Sequence, residues 1–450
     1  MKFSKSFIAI LITFTSICYF ISDEFYKKQN SSLNNKDAAS FDNNFAEFKN
    51  LSSVDKNAVH ASFIQFNNTS IPYSYTYPEI RTKKVALSGN LEQMKYFYQG
   101  LKSTSNTKIR IAHYGDSIIL GDVITEYLRE KFQKEFGGDG AGFLPIASTD
   151  NKMRRTVLHS FSDDWELTSI FTLNPEKLPL GLSSVVSKPG RKSWAEYSKT
   201  NFISSLGPFQ MVRLFYSHAN KGASVSYNYN GSEIETLSLS EGTSLKEEKI
   251  NLSQKIYRIK LNFESCQNTF FYGVSLENGN GVYVDNFPIT GNSGVSLVDI
   301  PLDLMRQFNS YLNYKLIILN FGVNVGAPNR GTYTFYENKM VKVIEHLKKA
   351  FPETSILIVS VSDRTVRRNG RLVTDSDIPL LLRSQKKIAD KGGVAFWNLF
   401  ESMGGINSMT TWVDSAPPMA LKDYRHFTHD GGKIVAGLIF DTLMNDIDKY

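Results

Sequence analysis

The chain has 450 residues, 41% apolar, 21% charged and 13% aromatic, a composition that excludes a disordered, collagenous or multi-span membrane protein. At about 150 residues per domain the length implies two or three domains, with cores large enough to need no metal or disulfide staple. The 51 Lys+Arg against 44 Asp+Glu leave +7, spread along the chain, which points to weak attraction for anionic surfaces and away from nucleic-acid binding.

Lys2 and Lys5 precede an apolar run from Phe7 to Ile21, which Asp23, Glu24, Lys27 and Lys28 end sharply. The run has the length of a signal-peptide core and is short for a membrane span. No small-x-small cleavage site follows it, so residues 1–21 are expected to be a signal peptide or an uncleaved anchor. The protein is therefore expected to be exported to a bacterial periplasm, with anchoring at the inner membrane by residues 7–21 as the alternative. Residues 22–85 are rich in Asn, Ser, Lys and Asp without sustained periodicity and are expected to form a polar tether.

From Asn90, LEQMKYFYQGL has helical spacing, KIRIAHYG is a compact strand, and DVITEYLREKFQKEFGG is an amphipathic helix closed by Gly137 and Gly138. Between 151 and 287 the pattern changes to short alternating runs (FQMVRLFY, ASVSYNYNG, EIETLSL, KIYRIKLNF, TFFYGVSLE) separated by Gly, Asn and Ser. Period-two runs of this kind predict an antiparallel sandwich or jelly roll. Strands then alternate with helices: YKLIILNFG, YTFYENKMVKVIEHLKKAF, SILIVSVSD, DIPLLLRSQKKIADKGG, VAFWNLF and a final helix GGKIVAGLIFDTLMNDI. The expected fold is α/β, a parallel sheet with helices on both faces, built from residues 86–150 and 288–450 and interrupted by an all-β insert over 151–287.

Parallel sheets carry their sites at the carboxyl ends of strands, and four motifs fall there. Gly115-Asp116-Ser117 puts a serine on the turn between the first strand and the next helix. Thr290-Gly291-Asn292-Ser293-Gly294 follows VYVDNFPI, where a glycine lets a backbone N–H approach a ligand. Gly322-Val323-Asn324 follows KLIILNF, and an Asn there can donate to an oxyanion. Asp423-Tyr424-Arg425-His426 precedes the last helix. The seven His are scattered, no HExxH or Cys pair is present, and the two cysteines, Cys18 and Cys266, make no framework. Neither a metal nor another cofactor is expected.

The order Gly-Asp-Ser, Gly, Gly-x-Asn and Asp-x-x-His resembles the four blocks of the SGNH (GDSL-type) hydrolases, over about 86–150 and 288–450. The resemblance implies Ser117 as nucleophile and His426 as base, oriented by Asp423, with the Ser117 N–H, the Gly291 N–H and the Asn324 side chain as oxyanion hole; Gly294 is the fallback for Gly291. Val325 stands where many members have an acid after the Asn, and Ile118 where they have Leu. The inserted sandwich, with HYGDS, GGDGAGFLP and RHFTHDGG, looks like the secreted peptidoglycan O-acetylesterases that carry a carbohydrate-binding-module-like jelly roll. That resemblance implies hydrolysis of the acetyl ester on C6 of N-acetylmuramic acid in peptidoglycan.

Candidate sugar contacts are Trp165, Trp194, Tyr197, Tyr227, Tyr229 and Trp412, since aromatic faces stack on sugar rings, with core packing as the alternative. Lys152, Arg154 and Arg155 form a basic run that could attract an anionic polymer or simply face solvent. His113 is read as structural and His429 as a helix-start residue. Alternatives to the peptidoglycan reading are another acetylated glycan such as an exopolysaccharide or O-antigen, a lipid ester, acetyl transfer to sugar, or glycan binding without catalysis.

Overall fold

The computed structural model describes residues 77–202, 207–326, 328 and 331–449. The apolar run 7–21, and with it the signal-or-anchor expectation, lies outside these residues, as does the tether up to residue 76. The rest of the expected tether is not one. Ile80 and Val85 pack against the core, the Lys83 N–H donates to Ser402 O at 2.9 Å, and Val85 O accepts from the Trp397 indole at 3.1 Å.

The central sheet contains five parallel strands: β1 (Lys108–Gly115), β2 (Gly281–Pro288), β3 (Tyr314–Asn320), β4 (Ser355–Val359) and β5 (Ala395–Trp397). Their spatial order is β5-β4-β3-β1-β2, and Ser88–Gly89 adds an antiparallel edge beside β5. Strands β1, β2 and β4 are buried almost throughout on both faces, as parallel strands between helix layers must be. Alternate side chains feed two cores. Ile111, Val284, Ile318 and Trp397 face helices α1 (Lys95–Lys102), α2 (Thr125–Phe136) and α6 (His429–Met444). Tyr114, Phe287, Ile317 and Phe396 face α3 (Leu302–Leu312), α4 (Thr334–Ala350) and α5 (Ile378–Gly392).

Two antiparallel sheets make up the β-rich region. The first has strands 235–238, 224–229, 258–265, 194–199 and 157–161 in that order; the second has 246–256, 209–217, 270–278, 185–188 and 166–169. Val225, Ile259 and Phe263 of one meet Val212, Phe271 and Val274 of the other in a shared core, so the expected sandwich is present. Its boundaries differ from those the sequence pattern implies. Strand β2 falls within the expected insert but pairs in parallel with β1, so the insert ends before Gly281. Asp139–Leu144 falls within the expected α/β part but pairs antiparallel with Phe270–Asn278. A continuous apolar run fits either sheet, and only the pairing partner decides.

Buried charge joins the two parts. Arg110 of β1, with no exposed side-chain surface, makes two 2.7 Å hydrogen bonds to Asp285 of β2 and one of 2.7 Å to Glu277 of the sandwich. Glu277 also takes Lys108 at 2.8 Å and Arg213 at 3.0 Å. Burial pushes the Glu277 carboxyl up, but these three cations outweigh it and hold it well below the usual range. Asp285 accepts further from the Phe143 N–H (2.8 Å) and the Tyr314 hydroxyl (2.6 Å). Gly142, at φ +71°, is required here because a Cβ would sit 2.4 Å from the Asp285 carboxylate. Arg110→Met would leave the buried Asp285 carboxylate without its cation, while Glu277 keeps Lys108 and Arg213, and is expected to cost about 3–5 kcal/mol, read as a lowered midpoint in urea unfolding of the full chain.

Candidate active site

Gly115 lies in register with Pro288 of β2 on one side and Asn320 of β3 on the other, so three loops leave the sheet at one level. After Gly115 the chain turns at Asp116, whose backbone is extended, into the short segment Ser117–Asp122, which starts as a helical turn and kinks at Leu120 and Gly121. The fully buried Asp116 carboxylate caps this segment by accepting from the Ile118 N–H at 3.0 Å. Its other oxygen accepts from the N–H groups of Gly322 and Val323, each at 2.9 Å. Burial lifts this carboxyl above its ordinary range, opposed by the three backbone donors. One side chain thereby fixes the serine turn against the loop that carries Asn324.

Behind the turn, fully buried His113 shares a 2.9 Å hydrogen bond with Thr125. The Thr125 hydroxyl donates to Asn286 (2.8 Å), and the Asn286 amide donates to Ile119 O (3.0 Å). Burial lowers His113 to about 4, so it is neutral near pH 7 and serves as scaffold.

The Ser117 hydroxyl lies 2.7 Å from His426 Nε2, and His426 Nδ1 lies 2.6 Å from Asp423. With the Nδ1 proton donated to the carboxylate, Nε2 is left to accept from the serine. Burial raises the Asp423 carboxyl, but the His426 side chain and the N–H groups of His426 and Arg425 outweigh that and hold it below its usual range. The segment is anchored from both ends. Leu421 N–H donates to His426 O at 2.8 Å, and Thr428 caps α6 by accepting from the Gly431 N–H at 3.2 Å.

Asn324 follows directly on the two residues that Asp116 holds, and its buried Nδ2 has no partner among the described residues. Gly291 is exposed at φ +83°, and a Cβ there would meet nothing within 4 Å. The N–H groups of Ser117 and Gly291 donate to no protein acceptor among the described residues. Gly294, the fallback, is packed against the Phe321 ring, which a Cβ would meet at 2.8 Å, and donates its N–H to the Asn292 side chain at 2.7 Å. That leaves Gly291 as the available donor.

The aromatic candidates fare differently. Trp165, Tyr197 and Trp412 are buried and cannot stack on a sugar. Trp165 packs edge-on to Phe263 and Phe271, Tyr197 stacks on His159 and donates to Pro145 O at 3.1 Å, and Trp412 supports Phe427 beside His426. Tyr227 is also buried, with its hydroxyl on Glu235 at 2.6 Å, and Tyr229 is partly buried against the same core. Trp194 is half-buried, with the Lys260 ammonium 4.5 Å from its ring centroid.

Of the basic run, Lys152 is exposed while the two arginines turn inward. Arg154 is buried on Asp122 at 2.8 Å, which also takes Arg129 at 3.1 Å, and Arg155 pairs with buried Glu126. Lys152 lies 5.0 Å from the Phe161 ring centroid. His429 begins α6, as the sequence predicts, and its Nδ1 reaches Glu126 at 2.7 Å.

No protein-family model matches the chain, and no curated protein matches it. Solved structures do. One described as "Peptidoglycan O-acetylesterase in action" superposes with a TM-score of 0.66 at 22% identity, covering 81% of this chain and 99% of that one. The two share a fold. At 22% identity the likeness is one of fold. A family two carbohydrate esterase from Cellvibrio japonicus (TM-score 0.25, 8% identity, 65% of this chain and 99% of that one) and an acetyl xylan esterase (0.28, 18%, 36% and 80%) match too loosely to add to this.

Asp116 was legible as part of a motif but not as the staple it is, because its partners lie over 200 residues away. Asp116→Ala would leave three N–H groups without their acceptor, and the expected loss is on the order of 2–4 kcal/mol by urea unfolding.

Proposed function

We propose that the protein is a serine esterase that removes O-acetyl groups from a glycan, most specifically from C6 of N-acetylmuramic acid in peptidoglycan. The observation that carries the reading is the unbroken hydrogen-bond chain Ser117–His426–Asp423 on a turn at the carboxyl end of a central parallel strand. A serine hydroxyl is unreactive near pH 7 until a base takes its proton, and the 2.7 Å contact puts the base in place.

In this reading Ser117 Oγ attacks the acetyl carbonyl as its proton passes to His426 Nε2. Asp423 stabilises the imidazolium that forms and holds the ring in the productive tautomer. The developing oxyanion takes the Ser117 and Gly291 N–H groups and Asn324 Nδ2, three donors with no protein partner to surrender among the described residues. Collapse breaks the C–O bond to the sugar, whose oxygen receives the proton from His426, and leaves acetyl on Ser117. Water, deprotonated by His426, then releases acetate and restores the serine.

The glycan part of the reading is supported by the fold shared with a peptidoglycan O-acetylesterase and by the two-sheet sandwich, which we read as a jelly-roll-like, glycan-facing module. Export to a periplasm belongs to the same reading and rests on Lys2, Lys5 and the apolar run 7–21.

Ser117→Ala is expected to abolish acetate release from O-acetylated peptidoglycan and from p-nitrophenyl acetate while the melting temperature holds. Asp423→Asn should lower kcat by about 10³–10⁴, and Asn324→Ala by about 10²–10³, in the same two assays. Full activity of Ser117→Ala would refute the nucleophile, and an unaltered rate in Asn324→Ala would remove that side chain from the oxyanion hole.

A further inference from the structure

A cavity of about 320 Å³ opens between the sandwich and the carboxyl end of β2, at the lower end of the roughly 300–1,000 Å³ of small-molecule sites. Its wall holds an unusual set of unused polar groups. The hydroxyls of Ser183, Ser184 and Thr290 are buried without a hydrogen-bond partner among the described residues. The Asp150 carboxylate, also on the wall, has no hydrogen bond or ion pair among the described residues. Burial alone lifts it to about 6, as befits a carboxyl without a protein cation. Each unpaired buried polar group costs about 1–3 kcal/mol, so three such hydroxyls beside an unpaired carboxylate mark a surface shaped for something that satisfies them. Leu167 and Phe171 supply an apolar rim, and Phe171 is 59% exposed.

The cavity adjoins the triad's loops on two sides. Thr290 immediately precedes Gly291, and Ile289 on the same wall donates its N–H to Gly115 O at 2.8 Å. The short helical segment Asp150–Met153 packs against the serine turn so closely that a Cβ on Gly121 would lie 2.8 Å from Met153 O.

We propose that this cavity is the saccharide subsite of the esterase, in which Asp150 and the hydroxyls of Ser183, Ser184 and Thr290 take the hydroxyl and amide groups of one sugar unit. The proposal rests on the esterase reading above. A pyranose presents hydroxyls at its edge and C–H groups on its face, which matches polar groups on the wall and apolar side chains at the rim. An ammonium ligand would use Asp150 and leave the three hydroxyls unexplained.

The test uses the full chain with p-nitrophenyl acetate, muramidase fragments of O-acetylated peptidoglycan, and acetylated xylooligosaccharides. For whichever glycan is hydrolysed, Asp150→Ala is expected to raise KM about ten-fold or more, about 1.4 kcal/mol, with kcat within about two-fold and p-nitrophenyl acetate turnover unchanged. Phe171→Ala, at an exposed rim position, should raise KM without touching the fold, which covers the case that Asp150→Ala fails to fold. An unchanged glycan KM in both variants overturns the subsite, as does a parallel loss of small-ester turnover. If the wild type hydrolyses no glycan, calorimetric binding of the same two glycans decides. Binding that Asp150→Ala weakens ten-fold keeps the subsite and refutes only the glycan-esterase reading; binding of neither glycan, or binding indifferent to both variants, overturns the subsite itself.

Discussion

The carboxylate of Asp116 is the point from which the site is built. Parallel pairing brings the ends of β1, β2 and β3 to one level, but pairing alone leaves three independent loops. Asp116 removes that independence between two of them. It caps the turn that presents Ser117 and, with its second oxygen, gathers the N–H groups of Gly322 and Val323, so Asn324 has a fixed origin relative to the serine. Charge-assisted bonds to backbone are strong for their kind, and here they are shielded from water. The relative placement of Ser117 and Asn324, from strands over 200 residues apart, thus depends on the buried carboxylate between them.

A second layer of buried charge does for the domains what Asp116 does for the loops. Arg110 spans β1, β2 and the sandwich through Asp285 and Glu277. Near the serine turn, Asp122 is held by Arg129 and Arg154, while Glu126 is held by Arg155 and His429. Arg154 and Arg155 follow the segment that carries Asp150, so the same pairs that anchor the sandwich's first residues also hold the cavity wall against the turn. Burying this many charges is tolerable only because each carboxylate meets a cation or several donors. The sandwich is therefore coupled to the serine turn through side chains, and its first strands could not shift without exposing or stranding charge.

Some of this was open to reading along the chain. The alternation of strands and helices, the two halves of the α/β part, the antiparallel sandwich and all three members of the hydrogen-bonded chain Ser117–His426–Asp423 follow from local periodicity and from short motifs at strand ends. Those features are written in neighbouring residues. His113 could be read as structural because it sits mid-strand, where both faces of a parallel sheet are buried.

Other features have no local signature. Trp165, Tyr197 and Trp412 are as aromatic as any sugar-stacking residue, and only the packing shows that they face inward. Arg154 and Arg155 look like part of a solvent-exposed patch until Asp122 and Glu126 arrive from the turn and helix before them. Strand β2 joined the parallel sheet, and Asp139–Leu144 the antiparallel one, because an apolar strand carries no mark of its partner. The chain alone determined which residue types stand at the strand ends and hence which chemistry they can support. The tertiary structure decided which carboxylates are paired, which hydroxyls are left unpaired and which rings are exposed, because those are properties of distances between residues far apart in sequence.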